Sequence, residues 1–181
     1  MITGADKALS KLVRAQAARL AFGEWIAECF TCEKTYPINK LQAGHYIVRT
    51  VWSQRYNPLN VWPQCTQCNL GNEGNKIEFQ KKLKPIFIEK YIETHPKGIG
   101  KINAESAWKI FDDYRGKSEF RPQMMAIGEK VLAHQFNTEL KKLFALNPGL
   151  ENAFKRKSQT CLLYTSPSPR DRTRSRMPSS A

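Results

Sequence analysis

The chain lacks any long hydrophobic run. No stretch approaches the roughly 20 consecutive apolar residues that a membrane-spanning helix needs, so the sequence predicts no membrane span. The N-terminal sequence also lacks an apolar segment followed by a small-residue cleavage site, which argues against an exported precursor. We therefore expect a protein of the reducing cytoplasm, where thiols stay reduced.

Acidic side chains are scarce. The 181 residues carry 16 Asp and Glu against 29 Lys and Arg, a formal net charge of +13. The segment 161–181 holds four arginines and one aspartate, so the basic excess persists when this segment is set aside. Polyanions such as nucleic acid are the expected partners. The alternative is a solvated, merely basic surface, which charge alone does not exclude.

Cysteines are few, yet four of the five lie in two C-x-x-C pairs. Cys29 and Cys32 form the first pair, and Cys65 and Cys68 form the second after the intervening loop 33–64. Two such pairs suit one tetrahedral zinc ion whose four thiolate ligands leave no open position, which makes the predicted zinc structural. A redox-active C-x-x-C is the competing interpretation.

The pattern of apolar residues predicts helices on either side of a short-stranded centre. Apolar residues at helical spacing predict the helices, and short apolar segments bounded by proline and glycine predict the strands. Asn103 is a candidate helix cap. The expected helices cover residues 5–22, 76–94, a segment after Asn103 through Tyr114, and about 122–143, and the expected strands lie near 41–48 and 61–62.

The C-terminal segment 161–181 differs sharply in composition from the rest of the chain. Its beginning, CLLYTSPSPRD, resembles a translated sequencing-library adapter, so we expect residues 161–181 to be non-native, or else a disordered Ser/Arg-rich tail. The remaining chain divides into an N-terminal helix (1–24), a zinc-bound core (25–80) and a helical extension (81–160). The predicted fold class is α+β.

Three polar residues follow one another in an order typical of one nuclease motif. His45 lies inside the zinc-closed loop, Asn60 precedes the second cysteine pair, and Asn69 follows Cys68 directly. This order resembles the HNH motif, in which a ββα unit binds a catalytic metal. Glu73 lies one helical turn after Asn69, and a carboxylate with an amide oxygen would suit Mg²⁺ or Mn²⁺.

A longer run of motifs resembles the phage NinG/Rap recombination proteins. It consists of C-x-x-C, A-G-H-Y, R-[YF]-N-x-x-N, Q-C-x-x-C-N and G-N, and it lies here within residues 29–75. The following helices match only in general character. The resemblance implies a zinc-stapled ββα-metal core with flanking helices, and a nuclease that acts on branched DNA such as D-loops or Holliday junctions. It places the protein in the host cytoplasm and leaves a homodimer open.

The same resemblance assigns roles to individual residues. His45 would be the general base for the attacking water, with an ordinary imidazole pKa near 6.5, and Asn60 would orient its ring. Asn69, with Glu73, would bind the catalytic ion. Independently of the resemblance, the chemistry of the side chains makes Arg49 and Arg55 candidate phosphate clamps and Lys76, Lys81 and Lys82 candidate phosphate contacts. A solvated helix face is the alternative for Lys81 and Lys82.

One position departs from the HNH pattern. Gly44 stands where many HNH enzymes carry an Asp or His metal ligand, so the ligand from the first strand is unidentified. Two alternatives therefore stay open. The chain could be a non-catalytic zinc ribbon that binds DNA or protein, or a homing or restriction-type HNH endonuclease that recognises a defined sequence.

Overall fold

The computed structural model describes residues 2–71, 75–94, 103–117 and 125–155, and this part of the chain is mixed α+β, as predicted. Two small antiparallel sheets lie among helices. In chain order the described elements are α1 (Gly4–Gln16), β1 (Arg19–Ala21), β2 (Glu24–Glu28), β3 (Thr35–Pro37), β4 (Leu41–His45), β5 (Val61–Cys65), α2 (Thr66–Leu70), α3 (Lys76–Thr94), α4 (Ala104–Asp112), α5 (Met125–Leu146) and α6 (Leu150–Ala153).

Helix α1 is amphipathic and begins at a capping box. The Thr3 side chain accepts a hydrogen bond from the Asp6 backbone N–H, and the Asp6 carboxylate accepts one from the Thr3 N–H. These bonds satisfy N–H groups that have no partner within the helix. The buried face packs on the β4–β5 hairpin and on α5 through Leu9 and Leu12.

The N-terminal helix is shorter than the predicted span of residues 5–22. It ends at Gln16, and Arg19–Ala21 instead pairs with Glu24–Glu28 as an antiparallel hairpin. Phe22 and Gly23 form its two-residue turn with φ values of 51° and 77°. Positive φ at both central residues is typical of the tight turns that match the twist of a hairpin. The predicted N-terminal unit, residues 1–24, is therefore a helix followed by part of a sheet.

Strands β4 and β5 form a separate hairpin that is followed directly by α2. The register pairs Leu41 with Cys65 and His45 with Val61. The predicted strands are found here, the first ending at His45 rather than near residue 48 and the second extending to Cys65. The hairpin therefore carries the second cysteine pair at one end and His45 at the other.

The C-terminal helices follow the sequence prediction closely. Helix α3 spans residues 76–94 with Pro85 inside it, and Asn103 caps α4 by accepting a hydrogen bond of 2.8 Å from the Ser106 N–H. Helices α3 and α4 bury Phe79, Leu83 and other apolar side chains against residues 46–51, the start of the β4–β5 connection. None of the described helices is both long and apolar enough to cross a lipid bilayer.

Candidate active site and metal centre

The four paired cysteines converge on one point. Their Sγ atoms all lie within 4.8 Å of one another, and the Cys32 and Cys65 sulfurs are 4.0 Å apart. A tetrahedral Zn²⁺ with bonds of about 2.3 Å would place its sulfur ligands roughly 3.8 Å apart. The cluster, Cys29, Cys32, Cys65 and Cys68, therefore has the donor set and the spacing for one zinc ion, with little movement on binding.

Backbone N–H groups donate hydrogen bonds to two of these sulfurs. The Cys65 N–H donates to Cys29 Sγ at 3.3 Å, and the Cys68 N–H donates to Cys65 Sγ at 3.4 Å. Burial would raise the pKa of Cys29, but N–H groups of Cys32, Cys65 and Thr31 lower it to about 7. Metals bind the thiolate, so the low pKa of Cys29 favours metal binding. Burial and the neighbouring sulfurs raise the pKa of Cys32, and they raise that of Cys68 to about 12, so these two thiols would have to lose a proton to the solvent when a metal binds.

His45 ends β4 at the rim of a groove of about 940 Å³, here called the His45 groove. Its Nε2 is buried and, in the described part of the chain, has no hydrogen-bond partner. Burial lowers the pKa of His45 to about 4, and the Arg49 cation acts in the same direction. A hydrogen bond to the Arg55 backbone and the charge of Asp6 only partly oppose this. The imidazole is therefore neutral at pH 7 and able to accept a proton.

This pKa differs from the ordinary value of 6.5 that the sequence led us to expect, because the fold buries the ring beside a cation. A phosphate in the groove would offset the charge of Arg49 and move the pKa of His45 back up toward that value. At pH 7 the imidazole would still be mainly neutral, which is the form that a general base needs.

Asn60 is fully buried behind His45 and holds the connection between the two strands. Its Oδ1 accepts from the Ile47 N–H at 2.6 Å, and its Nδ2 donates to the carbonyls of Ile47 and Gln54, both at 2.9 Å. Gln54 precedes Arg55, whose backbone bonds the imidazole. Asn60 is thus positioned to orient His45 through the backbone of this connection, while its own side chain bonds Ile47 and Gln54.

Asn69 lies on α2 and lines the same groove as His45. Its Nδ2 donates to the Gln42 Oε1 of β4 at 2.6 Å, and the Gln42 Nε2 in turn contacts Thr66 Oγ1 at 3.4 Å. With its N–H₂ group engaged by Gln42, the amide presents Oδ1 as its remaining acceptor. An amide oxygen is a suitable ligand for Mg²⁺ or Mn²⁺. Glu73, the other expected ligand, lies outside the described residues.

The space beside Gly44 where a side chain would start is filled by the Gln64 side chain. A Cβ atom at this position would overlap the Oε1 and Cδ atoms of Gln64. Gln64 is buried, donates from Nε2 to Thr31 Oγ1, and also lines the His45 groove. The amide group of Gln64, from β5, thus occupies the space in which a metal ligand at position 44 would begin.

The expected DNA-binding residues separate into different places. Arg49 and Lys76 line the His45 groove. Lys81 and Lys82 line another cavity, where Lys81 pairs with Glu78 at 2.7 Å and Lys82 with Glu33 at 2.6 Å. Among the predicted DNA-binding residues, Arg49 and Lys76 thus share the groove with His45, whereas Lys81 and Lys82 do not.

Arg55 is 5% exposed, and its guanidinium is bound to the Asp6 carboxylate through Nε at 3.0 Å and Nη2 at 2.6 Å. Its Nη1 donates to the Arg49 carbonyl at 3.0 Å. This side chain is thus held in a buried ion pair, and phosphate binding by Arg55 stays a prediction. Arg49, which is exposed, is the arginine that a phosphate can reach.

Sequence reasoning missed Gln42, Gln64 and the contribution of α1 to the groove. Gln42 and Gln64 are cross-strand partners in the hairpin, so a correct register for β4 and β5 would have placed them together. Helix α1 lines the groove with several residues, including Lys7 and Arg14. Nothing in the local sequence indicates that packing.

Comparison with known proteins identifies the family. No curated protein and no solved structure matches the chain. The family model described as bacteriophage lambda NinG protein matches residues 2–127, which include α1, both cysteine pairs, the His45 groove and helices α3 and α4. This span is well over half of the chain, and the chain therefore belongs to the family of the bacteriophage lambda NinG protein.

Proposed function

We propose that this protein is a metal-dependent DNA endonuclease of the HNH type that acts on branched recombination intermediates. Membership of the NinG family suggests a phage protein related to recombination that binds DNA. The finer assignment is supported by the order of elements, an antiparallel hairpin followed by a helix, with His45 on the first strand and Asn69 on the helix. We also propose residues 25–80 as the zinc-bound nuclease core.

One observation carries the proposal. His45 lines the same groove as Arg49 and Lys76, and its neutral imidazole has a buried Nε2 with no hydrogen-bond partner in the described part of the chain. Leaving a buried polar atom without a partner costs about 1–3 kcal/mol, and such a cost is usual where a ligand completes the site. A water molecule that donates a hydrogen bond to Nε2 would supply the missing partner.

In the proposed reaction a water oxygen attacks phosphorus and a bridging P–O bond breaks. His45 takes the proton of the attacking water, and Asn60 keeps the ring in place through the backbone of residues 47–55. Arg49 and Lys76 bind the phosphate. Bound Mg²⁺ or Mn²⁺ would neutralise charge that develops on the phosphate and the leaving oxygen, with Asn69 as a ligand that Gln42 holds in place.

The zinc ion has a structural role in this proposal. It would join the end of β2 to the end of β5, so that the hairpin bearing His45 is fixed relative to the first sheet. Since the local core around the cysteines is small, zinc binding would provide much of the folding free energy of this region.

One observation favours a second function. Gly44 lacks the metal ligand that the first strand usually carries in the HNH pattern, and Gln64 occupies the space beside it. A non-catalytic zinc module that binds DNA would tolerate this loss. That protein would bind DNA equally well with and without His45 and would not nick it with any divalent ion.

The test uses four-way junction, D-loop and linear duplex DNA with Mg²⁺ or Mn²⁺. We expect the wild type to cut branched DNA, His45→Ala to be inactive, and the matched control His134→Ala to retain activity, since His134 is exposed on α5. Cleavage that persists in chelator would exclude metal catalysis. Defined cut sites on linear duplex would instead favour a homing or restriction-type enzyme.

A further inference from the structure

Helix α1 forms one wall of the His45 groove. Lys7 and Lys11 are exposed and line this groove together with His45. Residues four apart lie on the same face of a helix, about 6 Å apart along its axis. The two ammonium groups therefore form a short cationic row beside the candidate active site.

Several lysines on other helices, in contrast, have an acidic partner. Lys90 pairs with Glu93 at 2.7 Å, and Lys142 pairs with Glu139 at 2.8 Å. Within the described residues, Lys7 and Lys11 have no carboxylate within ion-pair distance. Their charges are thus not cancelled locally.

The acidic residue that lines this groove is paired with an arginine. Of the described residues that line the His45 groove, only Asp6 is acidic. Asp6 is 7% exposed and bound by both Nε and Nη2 of Arg55. The groove as a whole presents positive charge, which is the complement of a phosphate backbone.

The position of α1 is fixed relative to His45. The Asp6–Arg55 pair links the helix to the β4–β5 connection, and Leu9 and Val13 pack against Val61, the hairpin partner of His45. A strand bound along α1 would consequently have a defined offset from the imidazole. A flexible basic tail would give no such register.

We propose that Lys7 and Lys11 of α1 bind the phosphate backbone of the DNA and set its register against His45. This inference rests on the proposed function, and it assigns the backbone contact to α1 rather than to the α3 lysines Lys81 and Lys82. The contacts are to phosphates, so they contribute affinity and position without base specificity.

The experiment measures the dissociation constant for a labelled four-way junction between about 50 and about 200 mM salt. Each lost phosphate contact reduces the slope of log K against log salt by about 0.9 on duplex arms. The variant K7Q/K11Q should reduce that slope by about 1.8, so that salt weakens its binding roughly 12-fold less than it weakens wild-type binding. The matched control K90Q/K142Q removes two ion-paired charges and should leave the slope unchanged.

Three outcomes would overturn the inference: an unchanged slope in K7Q/K11Q, an equal reduction in the control, or a reduction in K81Q/K82Q in place of K7Q/K11Q. Zinc content and the thermal midpoint of each variant confirm that it is folded. If the wild type itself fails to bind DNA, the proposed function fails as well. If it binds with a slope that K7Q/K11Q does not alter, only the role of α1 is wrong.

Discussion

Replacing Asp6 by alanine should destabilise the protein more than most single substitutions. The Asp6–Arg55 pair is 5% and 6% exposed at its side chains, with two N–H···O contacts of 3.0 and 2.6 Å. Removing one partner of a buried pair costs about 3–5 kcal/mol, because the other charge stays buried without compensation. Loss of the bond to the Thr3 N–H would add about 1 kcal/mol.

The loss of unfolding free energy is measured by equilibrium urea unfolding. The proteins compared are the wild type, Asp6→Ala, Arg55→Met and the double variant. The double variant should recover much of the loss of either single variant, since it leaves no unpaired buried charge. A loss below about 1 kcal/mol in Asp6→Ala, or strictly additive effects in the double variant, would refute the reasoning.

The same pair predicts the dependence of stability on pH. Burial would raise the pKa of Asp6, but hydrogen bonds and charge from Arg55, with the bond from Thr3, lower it below its usual 3.8. The pair's contribution is therefore fully present above pH 3.8 and is lost as the pH falls through the lower pKa of the folded state. Asp6→Asn should flatten the acid side of the stability curve.

Three further predictions concern the metal centre and the groove. Cys65→Ser, or a strong chelator, should release zinc and unfold the β4–β5 hairpin, as measured by metal analysis and circular dichroism; a zinc-free protein with an unchanged spectrum would contradict this. Asn60→Ala should cost about 2–4 kcal/mol in urea unfolding because a fully buried side chain loses three hydrogen bonds. A neutral effect would exclude Asn60 as the support of the connection. Gln42→Met should raise the Mn²⁺ concentration for half-maximal cleavage roughly 10-fold or more, because Asn69 loses the acceptor that holds it. Gln42→Glu keeps that acceptor and should stay near wild type, and equal values in both variants would remove Gln42 from the metal site.

Local patterns in the sequence were sufficient for several elements. The Asn103 cap and the apolar spacing of residues 76–94 predicted α4 and α3, because these signals depend on residues within one or two helical turns. The two C-x-x-C pairs predicted a single cluster for a similar reason. Each pair is a tight turn, and the chemistry of zinc requires four ligands.

The remaining features depend on contacts between distant residues. Arg19–Ala21 continues the helical pattern of α1 and becomes a strand only because it pairs with Glu24–Glu28. Asp6 and Arg55 are 49 positions apart, and Asn69 and Gln42 are 27 apart. No periodicity links such pairs. The ion pair of Arg55 with Asp6 could not be predicted for that reason, since the two residues lie in different parts of the fold.

Single-turnover cleavage of a four-way junction, with zinc-loaded protein in excess and Mg²⁺ or Mn²⁺ present, tests the central claim most directly. Removal of a general base slows the chemical step by about 10²- to 10⁴-fold. His45→Ala should therefore bind the junction as tightly as the wild type and cut it at least about 10²-fold more slowly. Equal cleavage rates for the two proteins, or no cleavage by the wild type, would contradict the account.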